Sequence, residues 1–161
     1  MNTARKYVLG LIFLFMGWQV YGTLNQPGAV NPNITQANIT STVCVPNWSA
    51  SVRPPTSYTS PIKERLCKEQ NCGDSSNYEL DHYVSIVLGG SPTDLKNLVL
   101  QPYPEARQKD TVENYLHRQV CSNKMTLIAA QKALYTWEDV YKKISSGFGS
   151  AVDDSLDEDD F

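Results

Sequence analysis

The chain predicts a small α+β domain, and three observations lead there. Two short extended segments, 78–83 and 98–100, flank the turn-forming run Gly89-Gly90-Ser91-Pro92. Helical periodicity starts near Glu105 and recurs towards the C-terminus. Four cysteines, Cys44, Cys67, Cys72 and Cys121, can staple a core this small.

The 161 residues suffice for one domain with tails. Arg5 and Lys6 precede an apolar run over 7–21, and small Gly22 follows it. That order describes a signal peptide or N-terminal anchor over 1–22, with cleavage expected after Gly22. The run is short for a span of about 20 residues, so membrane anchoring by 7–22 is the rival to removal. Either way the chain is expected outside the cytoplasm, secreted or periplasmic.

No charged residue lies between Lys6 and Arg53. Residues 23–43, rich in Asn, Thr, Pro and Gly, read as a flexible polar segment. Asn33, Asn38 and Asn47 each open an Asn-x-Ser/Thr triplet, a pattern that such a tract also produces by chance. The domain proper is expected over 44–146. Residues 147–161 form an acidic tail with Asp153, Asp154, Asp157, Glu158, Asp159 and Asp160, and read as disordered.

The net charge of −3 is unevenly spread. Without leader and tail, residues 23–148 carry 12 basic and 11 acidic side chains. So balanced a domain is not a strongly basic, non-specific nucleic-acid binder, although a local basic groove remains compatible with it.

Four cysteines allow three pairings. Cys67 and Cys72 are close, and Glu69, Asn71 and Gly73 around them suit a turn. A local bridge is expected there, with Cys44 joined to Cys121. No Cys-x-x-Cys pair occurs, which argues against a zinc-thiolate site.

Ser60-Pro61 reads as a helix start, Ser as cap and Pro at the first helical position, with the helix running to 68. Further helices are expected over 105–121, 126–135 and 137–144. Trp48 and Trp137 read as core or interface.

The residues that carry chemistry are Glu79-Leu80-Asp81-His82, Asn97, and the helical run from Lys109. Hydrolysing a phosphodiester requires a base for the attacking water and a cation for the charge that builds on phosphate. His82 is the natural base near neutral pH. Asp81 beside it can hold a hard ion such as Mg2+. Strand neighbours point to opposite faces, so the two share a site only where the strand bends or ends. Asn97 can bridge back to the loop backbone.

At about 100° per residue, Asp110, Glu113 and His117 share one arc of the helix. Val112, Leu116 and Val120 share the neighbouring arc and can pack on the strands. A Cys44–Cys121 bridge would draw residues 45–59 towards the site, and with them Arg53, a phosphate clamp. Each group also has an ordinary reading: Asp110 as a helix N-terminal charge, Glu113 with His117 as a surface pair, Lys109 as a solvated cation.

This pattern resembles the HNH endonucleases, which are built on a ββα-metal core. It is more closely similar to small exported HNH-like proteins of bacteria. The resemblance rests on Val43-Cys44-Val45-Pro46, Val52-Arg53-Pro54-Pro55, Tyr58-Thr59, Glu79-Leu80-Asp81-His82 and Leu88-Gly89-Gly90. It continues through Asn97-Leu98, Lys109-Asp110, Glu113, Leu116-His117, Val120-Cys121 and Ala129-Ala130-Gln131, covering about residues 43–142. It implies a ββα-metal core with added helices, a base at His82, a metal ligand at Asp81 and a positioning role for Asn97. One departure stands out: the family's third histidine falls at Ala106 here. Asp110 and Glu113 are then the candidate further ligands, with His117 in reserve.

The expected function is therefore metal-dependent endonucleolytic cleavage with little sequence preference, of DNA rather than RNA. The ion would be Mg2+, with Mn2+ or Zn2+ as substitutes. The alternative is a weakened or inactive member of the same fold that serves as a binding module in the cell envelope.

Overall fold

The computed structural model describes residues 28–147. Its elements are α1 (Trp48–Val52), α2 (Thr56–Gln70), β1 (Tyr78–His82), β2 (Leu98–Pro102), α3 (Tyr103–Cys121), α4 (Leu127–Ala133) and α5 (Trp137–Ser145), joined by short 3-10 turns. The fold is α+β: helices around one two-stranded sheet. The expected leader over 1–22, residues 23–27, and the acidic tail beyond Gly147 lie outside the described residues. Among the described residues, no helix is long and apolar enough to cross a membrane.

β1 and β2 pair antiparallel, from Tyr78 opposite Pro102 to His82 opposite Leu98. A lone two-stranded ribbon is marginal in water, and here α2 and α3 pack against it. α3 buries Ala106, Lys109, Val112, Tyr115, Leu116 and Val120, a spacing of three and four residues that forms one stripe. The core gathers Val112, Tyr115, Leu116 and Val120 of this stripe with Val84, Leu88, Leu127, Ala130, Ala133, Leu134 and Val140. Trp48 and Trp137 pack partly buried against it.

α2 begins at Thr56 rather than at the expected Ser60-Pro61 start, so Pro61 lies inside the helix. Pro54-Pro55 already holds the chain extended up to Thr56. Starting there lets five more residues, 56–60, join the helix, at the cost of the bond that Pro61 cannot donate. The far end closes on Asn71, left-handed at φ 52°.

Both expected bridges are present, Cys67–Cys72 and Cys44–Cys121. The first closes the turn after α2. The second ties the segment before α1 to the last turn of α3 across 77 residues of sequence. They are consistent with an oxidising, exported environment.

Residues 28–43 correct the expectation of a flexible polar segment. Gly28 N–H donates to Lys96 O, Asn31 N–H to Gly89 O, and Ser91 N–H to Ala29 O, each at 2.8 Å. Ile39 and Val43 are buried. Asn38 folds the tract on itself: its Oδ1 accepts from Thr35 N–H and its amide donates to Asn33 O. Composition averages over the tract, whereas two apolar anchors and an amide suffice to dock it.

This docking passes close to Gly90. A Cβ there would stand 1.7 Å from Val84 O, so only glycine fits. Gly90→Ala is expected to lower the unfolding free energy by about 3 kcal/mol. The readout is a lower denaturant midpoint at unchanged slope; an unshifted midpoint would contradict this packing.

Candidate functional site

Asn97 organises the loop between the strands. It is fully buried. Its Oδ1 accepts from Val84 N–H at 2.8 Å and Ala29 N–H at 3.2 Å. Its Nδ2 donates to Val84 O at 2.9 Å and Ser91 O at 2.8 Å. One amide therefore ties both ends of the loop to the N-terminal segment, with all four of its hydrogen-bonding positions used.

His82 ends β1 and is only 5% exposed. Its Nε2 lies 3.0 Å from Pro92 O on the loop that Asn97 braces. A carbonyl can only accept, so Nε2 carries the proton and Nδ1 keeps the lone pair. Burial depresses the imidazole pKa, and the charges of Arg53 and Lys109 add to that. The Pro92 bond and Asp81 oppose it without reversing it. The ring is thus neutral at neutral pH.

Asp81 does not accompany it. As neighbours on a strand the two side chains diverge. Asp81 Oδ1 accepts from His82 N–H at 2.7 Å, and Oδ2 accepts from Lys109 Nζ at 2.8 Å. Glu113, one turn beyond Lys109 on α3, accepts from the same ammonium through Oε1 and from Ser85 Oγ at 2.6 Å through Oε2. His82 O accepts the third Nζ proton at 2.8 Å.

Lys109 is thus a buried ammonium with every proton placed. Burial alone would lower its pKa, but the charges of Glu113 and Asp81 outweigh that and hold it above the ordinary value. Burial pushes the Glu113 carboxyl up, as does the like charge of Asp81, against the pull of Lys109 and Ser85.

Arg53, expected as a phosphate clamp, caps α1 and is exposed. Its charge reaches His82, Glu79 and Asp110. Glu79, two residues before Asp81 on the same strand face, is held up by burial and by the charges of Asp81 and Asp110. Asp110 is exposed on α3, its carboxyl raised by lost hydration and by Asp81. Ala106, where the family's histidine was expected, is buried in the core.

The expected ligands Asp81, Asp110 and Glu113 do not gather at one point. Among the described residues, the trio of ligand-type groups lying within 4.8 Å of one another is Cys44, His117 and Cys121. That trio is a metal-ligand grouping in composition, but its two sulfurs are joined as a disulfide. His117 Nε2 lies 2.8 Å from Val43 O and 3.4 Å from Cys121 Sγ.

The ordinary reading of Lys109 as a solvated cation, and its alternative as a hold on the neighbouring phosphate backbone, both need an exposed ammonium, and the structure buries it. The signal was there: at about 100° per residue, Lys109 falls within about 20° of Leu116 and Val120 on the apolar arc.

A pH dependence follows from His82. Its folded pKa is depressed, so the unfolded chain binds the extra proton first as pH falls. Stability is fully present above the unfolded value of 6.5 and declines below it, down to the folded pKa. Unfolding midpoints of wild type and His82→Gln between pH 7.5 and about 5 check this. The variant's profile is expected to be flatter, and parallel profiles would refute a buried neutral ring.

No family model, no curated protein and no solved structure matches the chain.

Proposed function

We propose that this chain is an exported endonuclease that hydrolyses DNA phosphodiester bonds, with His82 as the general base. The reading is carried by one observation: a neutral imidazole held through Nε2–H to Pro92 O, with its basic Nδ1 lone pair in the field of Arg53. Nδ1 takes the proton of the attacking water. Arg53 is the exposed cation for the phosphate. Asn97 is a positioning residue, acting through the loop that sets the imidazole. The order β1, braced loop, β2 and α3 supports reading the unit as a ββα core of the HNH kind.

The residues expected to hold a divalent ion do not fit it as a set. Asp81 and Glu113 are committed to Lys109, and an ion beside that ammonium would meet like charge at close range. Asp110 joins no ligand grouping with them among the described residues. No step is assigned to an ion.

The same ammonium favours a second reading, a binding module of the cell envelope that keeps the fold without cleavage. Plasmid nicking by the full chain separates the two, run with Mg2+, with Mn2+ and with chelator. Cutting that His82→Ala abolishes supports the enzyme. A folded protein that cuts under none of these conditions rejects it in favour of the module.

A further inference from the structure

We infer that Cys44, Cys121 and His117 form a redox-gated site for one soft divalent cation of the Zn2+ class. Oxidised, the two sulfurs close on each other. Reduced, the same three groups close on the ion, with water as the fourth ligand. The disulfide and the metal are alternative clasps for one joint.

The geometry carries it. His117 and Cys121 are four residues apart on α3, the spacing that places two ligands on one helix face. Their Nε2 and Sγ already stand 3.4 Å apart. A tetrahedral ion bound to one nitrogen and one thiolate needs about 3.5 Å between them. The sulfurs must separate to about 3.8 Å, which side-chain rotation can supply over a Cα–Cα distance of 5.5 Å. All three side chains are partly exposed, so reductant and ion can reach them.

The ligand backbones do not depend on the bridge for their places. α3 is held by Val112, Leu116 and Val120, each fully buried. Cys44 follows buried Val43, and its N–H donates to Ile39 O at 2.9 Å. The Cys67–Cys72 pair has no histidine in such a grouping among the described residues.

The steps balance. A dithiol or phosphine reductant delivers two electrons to the disulfide, and each sulfur takes up one proton. The ion then displaces two protons as the thiols become thiolates. His117 binds through Nε2 once its proton has shifted to Nδ1, which gives up the bond to Val43 O.

The test uses the full chain carrying Cys67→Ser and Cys72→Ser, and Co2+ as the optical probe. After phosphine reduction, one Co2+ per chain is expected, with a thiolate-to-cobalt charge-transfer band that Zn2+ erases. The oxidised chain should show none. Adding His117→Ala should weaken Co2+ binding by more than about a hundredfold, the upper end for losing an outer-shell partner, since it removes a ligand itself. If reduction loosens the fold, Zn2+ should restore the circular dichroism and thermal midpoint of the reduced chain. Absence of the band, His117→Ala binding as tightly as its parent, or a reduced chain that Zn2+ leaves unfolded would each overturn the proposal. None of these outcomes depends on nuclease activity.

Discussion

Lys109→Met is expected to lower the unfolding free energy by about 3–5 kcal/mol. The ammonium donates to Asp81 Oδ2, Glu113 Oε1 and His82 O. The two carboxylate side chains are 14% and 12% exposed. Methionine fills much of the space but donates nothing. It leaves two like charges facing each other in a poorly hydrated pocket, together with an unpaired carbonyl. Desolvation already holds Glu113 up and the Lys109 charge pulls it down, so the variant should take up a proton at a higher pH than wild type does.

The discriminating control replaces the whole triad with apolar groups, Lys109→Met with Asp81→Leu and Glu113→Leu. Removing all the charges together should recover most of the lost stability, because the penalty lies in the unpaired charge rather than in the lost pair. Chemical denaturation of the three proteins settles it. A single variant within about 1 kcal/mol of wild type (the centre of the range for point mutants) would mean that the ammonium does not bridge the carboxylates.

His82→Ala is expected to reduce plasmid nicking by about 10²–10⁴-fold, the usual contribution of a positioned general base. Because Nε2–H is taken by Pro92 O, the proton acceptor is Nδ1. His82→Gln keeps a polar group in the pocket but has no basic nitrogen, so it should be equally inactive while folding better. Burial sets the acid limb of the wild-type rate profile below the ordinary histidine value of 6.5. A His82→Gln enzyme with wild-type rate, or an acid limb above 6.5, would remove His82 from the reaction. Arg53→Ala should weaken binding to DNA and let that limb drift up towards 6.5, since the exposed residue contributes charge that helps depress the His82 imidazole.

The periodicity that places Asp110, Glu113 and His117 on one arc is a property of the helix alone, and so is the local turn that brings Cys67 to Cys72. Such features were legible because they involve residues a few positions apart. The Cys44–Cys121 bridge was legible for a different reason: a local pair left two cysteines over. The strand positions and the helices after β2 were likewise readable from turn chemistry and spacing. The start of α2 and the docking of residues 28–43 were not, since both depend on burial that composition does not report.

The amino-acid sequence by itself determined the two strands, the helices after them, the two bridges and the inventory of chemical groups, because each follows from local spacing or counting. The tertiary structure alone decided which cation Asp81 and Glu113 meet. That depends on α3 crossing the sheet at a depth that buries Lys109, and a desolvated carboxylate pairs with the nearest charge it can reach. The parting of His82 from Asp81 needs no such depth, since successive side chains of a strand leave by opposite faces.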